Sequence, residues 1–467
     1  MSAYLRRQLI KSYQIATGRR FLTRLEELNR LQWLSRDELL SLQQAKLRRL
    51  LEHAYAYVPY YRRLFDQVGF RPDDLRHDPA SFRKVPTLSK AMIRENFADL
   101  QTTDPEVCSQ LSVLTTGGST GEPLKFMQDH TFRDYVMADL HRHLGWAGWE
   151  LGVPHCYIWG TSFEIEVKQT LRARLMDWLL NRFVTNAYVL SEESMAAFSE
   201  AIRKRRPEIL FGYPSSMYRF AEFVRQRNLE DIRFKSIVSC AEVLYPHQRQ
   251  LMEDTFAGKV FDCYGTRELG GLACQCESRT GLHVSIENIY LEILNENGQM
   301  THPGEPGNII VTNLNNYGMP FIRYNLADVV SWYPSSACTC GRAHPMLRVV
   351  EGRHNDMFRT RDGRMVWGGV ANPLWGAEGV KQFQFVQKTY DLVVVHIVKE
   401  GALPAAVQTG VVKAIQTALG QQVQVEFQFP ETIALEKSGK HRYQICEVDQ
   451  GIRQSGHLKL EEELRRG

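Results

Sequence analysis

The chain has 467 residues, more than one hydrophobic core usually holds, so two or three domains are expected. Apolar residues make up 43% and charged residues 24%, which excludes a disordered or fibrous chain. The 57 basic and 53 acidic residues leave a net charge of +4, without the electrostatic signature of a dedicated nucleic-acid binder. We therefore expect a small-molecule site.

The N-terminal segment, residues 1–21, mixes basic and apolar side chains but lacks the continuous apolar core of a signal peptide. No apolar run approaches the roughly 18 residues needed to cross a bilayer, so we expect a cytoplasmic protein without a transmembrane segment. A basic helix here could lie on a membrane surface. We favour a peripheral helix packed on the main body, because basic surface helices are common.

The first hundred residues are predicted to be mainly helical. Ser35 can cap a helix and Glu38 can reach back to complete a capping box. Leucines then recur at helical spacing until Pro59 ends the run.

From about residue 155 the pattern changes to short apolar runs separated by amphipathic segments. This alternation predicts an α/β fold with a largely parallel sheet covered by helices, and ligands of such sheets gather at the carboxyl ends of the strands. The predicted strands are 156–160, 183–190, 208–212, 236–240 and 259–265, and the predicted helices are 191–206, 215–228 and 246–256.

The later part of the chain divides again. Strand-like runs joined by Gly- and Pro-containing turns predict a β subdomain over residues 270–345. The polar, Gly-rich stretch after EGRH predicts a domain boundary close to Asn355. We therefore expect an N-terminal domain of residues 1–354, with a helical lead-in over residues 1–100, and an α+β C-terminal domain of residues 355–467.

The segment LTTGGSTGEPLKF is rich in glycine and hydroxyl-bearing residues. Its glycines allow backbone N–H groups to converge on an anion, and its hydroxyls add donors. It does not fit the Walker pattern, in which Lys is followed directly by Ser or Thr. By itself, the loop fits a flexible turn as well as a phosphate cradle. The residues concerned are Thr115, Thr116, Gly117, Gly118, Ser119, Thr120 and Gly121.

Four further segments carry chemistry and follow this loop in order. Glu268 lies in YGTRELGG after a predicted strand, where a carboxylate could meet a metal-bound phosphate. Asp328 lies in FIRYNLADVV, where a carboxylate could bind ribose hydroxyls. Arg353 stands just before the domain boundary, and Lys440 lies in the Gly-containing loop LEKSGKHRY.

Together and in this order, the five motifs resemble the adenylate-forming superfamily of acyl-CoA synthetases, nonribosomal adenylation domains and luciferases. The match is closest to the phenylacetate-CoA ligase and CapK-like branch. The resemblance covers nearly the whole chain and includes LEHAYAYVPYYRRLF, FGYPSSMYRFAEF and CTCGRAHP. It implies a large adenylate-forming domain followed by a small mobile C-terminal domain.

The resemblance also implies the reaction. A small-molecule carboxylic acid would attack ATP to form an acyl-adenylate, pyrophosphate would leave, and the acyl group would pass to a thiol, above all coenzyme A. The C-terminal domain would rotate between the two steps. A homodimer is a further expectation, and no nucleic acid is expected as a partner.

The roles of individual residues follow from the same resemblance. Residues 115–121 would enclose the β- and γ-phosphates of ATP, Glu268 would hold Mg²⁺, and Asp328 would bind the ribose. Arg353 would contact the ribose and phosphates, and Lys440 the acid carboxylate and the α-phosphate. Catalysis would rest on Glu268, Arg353 and Lys440. The nucleotide site would be completed by Ala241, Glu242, Tyr264, Gly265 and Thr266.

Three positions depart from the pattern of the family. The joint reads GRHND, with Asn355 where the family usually has Asp, and Asn tolerates unusual backbone angles at least as well. Arg267 replaces the usual Ser or Thr before the glutamate, and Ala327 replaces a glycine in RYNLAD. We expect catalytic competence in spite of these departures.

Nine cysteines, an odd number scattered along a long chain, argue against a disulfide framework and predict reduced thiols. Some of them could hold a structural zinc ion, since thiolates and imidazole in a closed set of four suit Zn²⁺. Cys274 or His344 could replace one of the predicted ligands, and all could instead be metal-free. Similar cysteines recur in the family branch that the chain resembles, which favours zinc. The predicted ligands are Cys276, His283, Cys338 and Cys340.

Two alternatives to thiol transfer remain open. The acceptor could be an amine, or AMP could pass to a hydroxyl. A non-catalytic nucleotide-binding protein of polysaccharide or secondary-metabolite biosynthesis is disfavoured. That class would require the loss of key functional side chains, and all four are present: Glu268, Asp328, Arg353 and Lys440. The acid itself is not identified, although aromatic residues at predicted strand ends could surround it: Tyr157, Trp159, Phe211 and Tyr213.

Overall fold

The computed structural model describes most of the chain, and the described residues form two compact units. One unit contains those up to Val350, and the other contains those from Glu351 onward. The described residues are 2–116, 124–160, 171–187, 190–295, 297–334, 338–353, 358–362, 365–366, 369–374, 377, 379–399, 401–434 and 442–448.

The N-terminal hundred residues are mainly helical, as predicted. Ser35 Oγ accepts a hydrogen bond from Glu38 N at 3.3 Å, and Glu38 Oε2 accepts one from Ser35 N at 2.8 Å, which confirms the capping box. The helix ends at Tyr57, just before Pro59 begins the next one. The helices are α1 (Ala3–Thr17), α2 (Phe21–Leu31), α3 (Arg36–Tyr57), α4 (Pro59–Gln67), α5 (Lys90–Glu95) and α6 (Pro105–Cys108).

Helix α1 packs on the body of the first unit, as predicted. Its Ile10 side chain is fully buried, and the Arg6 guanidinium donates a hydrogen bond to the Leu179 carbonyl at 3.2 Å. Within the described residues, no helix combines the length and apolar character that a membrane span requires.

The remaining helices of this unit alternate with strands or cover them. Three of them share one core cluster through the side chains Phe198, Phe220 and Phe256. The helices are α7 (His130–Trp146), α8 (Leu171–Leu179), α9 (Glu192–Arg205), α10 (Pro214–Gln226) and α11 (Pro246–Phe256).

A short hairpin and one large sheet complete the first unit. The hairpin pairs β1 (Ser112–Thr115) with β2 (Lys125–Gln128). The sheet has eleven strands: β3 (His155–Ile158), β4 (Arg182–Thr185), β5 (Ile209–Gly212), β6 (Ser236–Cys240), β7 (Lys259–Thr266), β8 (Gly270–Gln275), β9 (Leu282–Val284), β10 (Ile289–Leu294), β11 (Pro306–Asn313), β12 (Tyr324–Trp332) and β13 (Met346–Arg353).

The strand order in this sheet is β10-β11-β12-β13-β9-β8-β7-β6-β5-β3-β4. Strands β3 to β7 pair in parallel with one another, which confirms the predicted βα alternation. From β7 through β8 to β9 the pairing is antiparallel. The strands of the predicted β subdomain are therefore continuous with the parallel part, because β8 pairs with β7 and β9 pairs with β8.

The second unit is an α+β arrangement, as the apolar runs predict. Its strands form a sheet in the order β18-β17-β16-β19, and helix α12 (Ala405–Leu419) buries Val411 and Ile415 in the same core as Phe385. The strands are β14 (Phe358–Arg359), β15 (Met365–Val366), β16 (Val380–Thr389), β17 (Leu392–Lys399), β18 (Gln424–Gln428) and β19 (Gln444–Cys446), and β14 pairs with β15.

Candidate active site

The carboxyl ends of β5, β6 and β7 lie side by side. In the register of the sheet, Gly212 pairs with Ser239, and Cys240 pairs with Cys263. The segment after β6 and the last residues of β7 are therefore neighbours at one edge, where parallel sheets bind ligands. Four residues of the predicted nucleotide site come together here: Ala241, Glu242, Tyr264 and Gly265.

The loop after β6 has a constrained backbone. Ala241 adopts a left-handed conformation with φ of 71°, and the next residue, Glu242, accepts a hydrogen bond from Ser215 N at 3.1 Å. Ser215 lies in the first turn of α10, where free N–H groups favour a carboxylate. The helix terminus thus holds the Glu242 side chain beside the end of β6.

Two tyrosine–carboxylate hydrogen bonds connect YGTRE to RYNLAD. The Tyr264 hydroxyl donates to Asp328 Oδ2 at 2.6 Å, and the Tyr324 hydroxyl donates to Glu268 Oε1 at 3.0 Å. Each segment thus supplies one tyrosine and one carboxylate. The residues predicted for the ribose and for Mg²⁺ are joined through this reciprocal pair of hydrogen bonds.

Three further hydrogen bonds hold the turn that carries Glu268. Gln128 Nε2 donates to the carbonyl oxygens of Arg267 at 3.4 Å and Glu268 at 3.5 Å, and Leu269 N donates to Thr266 Oγ1 at 3.1 Å. Gln128 ends β2, the strand that follows the Gly/Ser/Thr loop. The loop and the glutamate are therefore structurally linked.

The hairpin of β1 and β2 closes the base of the Gly/Ser/Thr loop. Thr115 pairs with Lys125, Thr116 N donates to the Leu124 carbonyl at 2.9 Å, and Leu124 N donates to Thr116 Oγ1 at 2.9 Å.

Several predicted site residues lie outside the described part of the chain: Gly117, Gly118, Ser119, Thr120, Gly121 and Lys440. Arg353 is the last residue of β13, and its side chain is also outside the described part.

Arg323 has a structural role that sequence reasoning missed. Its buried guanidinium forms two hydrogen bonds with the Glu292 carboxylate, at 2.9 and 3.1 Å. Its backbone φ is 51°, and its N–H donates to Thr312 Oγ1 at 2.9 Å. The residue therefore anchors the RYNLAD segment from inside the molecule.

Tyr324 and Gln128 were also missed by sequence reasoning. Tyr324 is fully buried, and burial, followed by the nearby Glu268 carboxylate, raises the pKa of its hydroxyl. Both effects favour the neutral phenol, which donates the hydrogen bond to Glu268. One sequence signal was available, because the spacing from Tyr264 to Glu268 equals that from Tyr324 to Asp328. Nothing in the sequence pointed to Gln128.

The four predicted zinc ligands lie together in the first unit. Their donor atoms are all within 4.8 Å of one another, with Cys276 Sγ 3.6 Å from Cys338 Sγ and Cys340 Sγ 3.4 Å from His283 Nε2. The alternative ligand His344 instead places Nε2 3.1 Å from Glu287 Oε2.

The prediction that the cysteines are all reduced is wrong for one pair. Cys263 and Cys274 form a disulfide. They are direct partners in the antiparallel register of β7 and β8, with Cα atoms 4.0 Å apart, so the sheet itself brings their sulfurs together. Cys274 is thereby removed as an alternative zinc ligand.

The aromatic residues proposed for the acid pocket contact one another in pairs beside this edge. The ring centroids of Trp159 and Tyr213 are 4.3 Å apart, and those of Tyr157 and Phe211 are 4.6 Å apart. A cavity of about 500 Å³ adjoins Trp159 and runs along the edge strand β4, with Arg174, Arg182, Arg205 and Trp178 among its lining residues. Among the predicted nucleotide residues whose side chains the structure describes, none lines this cavity.

Two protein families match parts of this chain. The AMP-binding enzyme family matches residues 78–317, and the CapK C-terminal domain matches residues 358–447. Phenylacetate-coenzyme A ligase of Thermus thermophilus is 27% identical over 344 residues, which cover 71% of this chain and 74% of that protein. Protein CapK of Staphylococcus aureus is 23% identical over 382 residues, covering 79% and 81%.

Solved structures show the same fold. 2-Hydroxyisobutyryl-CoA ligase in the postadenylation state aligns with a TM-score of 0.70 at 21% identity, over 90% of this chain and 91% of that one. ATP-bound MatB from Rhodopseudomonas palustris aligns with a TM-score of 0.51 at 13% identity, over 71% and 66%.

The fold and the site together define an adenylate-forming enzyme. The AMP-binding match alone covers just over half of the chain. The chain belongs to the AMP-binding enzyme family, in the branch of the phenylacetate-CoA ligases and CapK.

Ala327, where the family pattern has glycine, adopts φ of 61° and is exposed. We expect Ala327→Gly to raise the free energy of unfolding of the first unit by about 0.5–1 kcal/mol. The left-handed backbone costs an L-residue about 1–2 kcal/mol, and glycine removes this cost. The greater freedom that glycine gives the unfolded chain offsets part of the gain. Denaturant unfolding followed by tryptophan fluorescence measures the change.

A matched control is Ala197→Gly in the exposed face of α9, which should destabilise by about 1 kcal/mol. Equal destabilisation by both substitutions would show that the backbone at Ala327 is not strained.

Proposed function

We propose that this protein is an ATP-dependent carboxylate ligase that forms an acyl-adenylate and then transfers the acyl group to a thiol, most plausibly coenzyme A. The observation that carries the proposal is the reciprocal pair of hydrogen bonds between Tyr264 and Asp328 and between Tyr324 and Glu268. It assembles carboxylates suited to ribose and to Mg²⁺ at the edge where the adenine-lining segments meet. The relatives named as phenylacetate-coenzyme A ligases support the choice of acceptor.

In the first step, an oxygen of the acid attacks the α-phosphorus of ATP, and the bond to pyrophosphate breaks. Glu268 would hold Mg²⁺, whose charge offsets the repulsion between the carboxylate and the triphosphate. Residues 115–121 would hold the β- and γ-phosphates, Asp328 the ribose hydroxyls, and Arg353 the ribose and phosphates. Lys440 would stabilise the charge that grows on the α-phosphate and the acid.

In the second step, the thiolate of the acceptor attacks the acyl carbonyl, and AMP leaves. Lys440 belongs to the C-terminal part of the chain, whose rotation would withdraw it and admit the thiol. Trp159 and Tyr213 are candidates for the wall of the acid pocket, because they lie at the strand ends beside the nucleotide segments.

The match of residues 358–447 to the CapK C-terminal domain supports keeping a second candidate, in which the acyl group passes to an amine or AMP itself passes to a hydroxyl. Dependence of AMP release on a thiol separates the two candidates. The homodimer and the cytoplasmic location inferred from the sequence stay predictions.

We also propose a structural zinc ion bound by Cys276, His283, Cys338 and Cys340. Three thiols and one imidazole with donor atoms within 4.8 Å fit the closed tetrahedral site that Zn²⁺ prefers. The ligands come from the end of β8, from β9 and from the turn before β13, so the ion would tie these elements together. It would not take part in the reaction.

The test of function is pyrophosphate release from ATP with aryl, arylacetic, fatty and amino acids, each with and without coenzyme A. Acid-dependent release is expected, and stimulation by coenzyme A would support the thiol acceptor. Stimulation by an amine alone would favour the second candidate. ATP binding without release for any acid would argue against acyl transfer to a thiol or an amine and would favour transfer of AMP to another molecule or a non-catalytic role.

Lys440→Ala should reduce acid-dependent pyrophosphate release by about 100-fold or more while changing ATP affinity by less than about two-fold, because the lysine acts on charge that develops in the transition state. Single-turnover kinetics and equilibrium ATP binding measure the two effects. Lys437→Ala, in the same loop, is the control and should retain activity. A fully active Lys440→Ala variant would refute the assignment of this lysine.

Purified wild-type protein should contain about one zinc ion per chain by elemental analysis, since the four donors form one closed site. Cys338→Ser should lose the metal and lower the thermal unfolding temperature, because metal binding contributes to folding. Cys108→Ser, at an exposed cysteine outside the cluster, should change neither. Retention of zinc by Cys338→Ser would rule out this ligand set.

A further inference from the structure

Glu268 has a neutral rather than a cationic partner. Its carboxylate is buried, and Oε1 accepts the hydrogen bond from Tyr324 at 3.0 Å. Among the residues that the structure describes, no basic side chain forms an ion pair with it. A phenol can orient a carboxylate without cancelling its negative charge, so the charge remains for a cation.

Tyr324 is itself rigidly held. Its side chain is fully buried and contacts the Phe321 ring, with centroids 4.9 Å apart. The preceding residue, Arg323, has a left-handed backbone and is anchored by its ion pair with Glu292. The hydroxyl therefore sits at a fixed point of the core, and its hydrogen bond can select one orientation of the Glu268 carboxylate.

We propose that Tyr324 is the positioning residue for the Mg²⁺ site, holding Oε1 of Glu268 so that Oε2 is presented to the cation. The inference rests on the proposed function, in which Glu268 binds Mg²⁺ with ATP. Removal of a group that orients a metal ligand commonly lowers the affinity for the metal by about 10- to 100-fold. In this role Tyr324 acts only by orienting the Glu268 carboxylate, and it contacts neither the substrate nor the metal itself.

Tyr324→Phe tests the inference, because it removes only the hydroxyl. The readout is the affinity for a fluorescent ATP analogue, measured in EDTA and in Mg²⁺. It is expressed as a ratio, the dissociation constant in EDTA divided by the dissociation constant in Mg²⁺. We expect this ratio to fall about 10-fold relative to the wild-type ratio, with the dissociation constant in EDTA changed by less than about two-fold. Glu268→Gln is the reference and should lower the ratio at least as much.

Tyr61→Phe is the matched structural control. The Tyr61 hydroxyl is also fully buried, donates to the Pro320 carbonyl at 2.9 Å and accepts from Ile322 N at 3.1 Å, so it supports the same segment without touching a carboxylate. Tyr61→Phe should lower the unfolding temperature and leave the ratio unchanged. A ratio for Tyr324→Phe equal to that of Tyr61→Phe would overturn the inference.

Two further outcomes separate this inference from the proposed function. If the wild-type ratio depends on Tyr324 but no acid releases pyrophosphate, the positioning role holds and the ligase proposal fails. If the wild-type protein binds the analogue equally well with and without Mg²⁺, the positioning role is refuted, even where an acid releases pyrophosphate.

Discussion

The buried ion pair between Arg323 and Glu292 is the interaction on which the rest of the nucleotide site depends. The guanidinium donates to both carboxylate oxygens, and both side chains are buried. Losing one partner of such a pair leaves a buried, uncompensated charge, which typically costs about 3–5 kcal/mol. The pair can therefore keep Arg323 in a left-handed conformation, whose cost is about 1–2 kcal/mol. The direction of Tyr324 follows from that conformation.

The sheet supplies the second constraint. Strand β7 is the point at which parallel pairing with β6 gives way to antiparallel pairing with β8, and Tyr264 and Glu268 lie at that change. A turn at this position exposes side chains at the carboxyl edge of the parallel strands. Gln128 then donates hydrogen bonds to the backbone of the same turn, which links the end of β2 to the end of β7. Glu268 is thus held between β2 and β7 by hydrogen bonds to the backbone of its turn.

The two proposed cation sites obey different chemistry. At Glu268 a hard carboxylate, supported by a neutral phenol, suits Mg²⁺, which is usually held by one or two carboxylates together with substrate phosphates. At the cysteine cluster, three thiols and an imidazole close around one point and leave no position for a substrate. The first site would serve the reaction and the second the fold.

Several features of the molecule could be predicted from particular residues. The capping box of Ser35 and Glu38 and the alternation of apolar runs with amphipathic helices are local, so short windows of sequence contain the information that forms them. The cysteine and histidine cluster was also foreseen, because its chemistry limits the residues that could take part. The pairing of Cys263 with Cys274 was not, because it depends on the register of β8 against β7.

The sequence by itself determined the class of fold, the order of the motifs and the chemical character of each candidate side chain, because these depend on spacing and residue type. Only the tertiary structure decided that Tyr324 supports Glu268, that Tyr264 supports Asp328 and that β8 and β9 continue the main sheet. The two hydrogen bonds join residues about sixty positions apart, and the strand pairing depends on a register that residue type alone does not set. The energy of a hydrogen bond depends on distance and angle in space, which spacing along the chain does not specify.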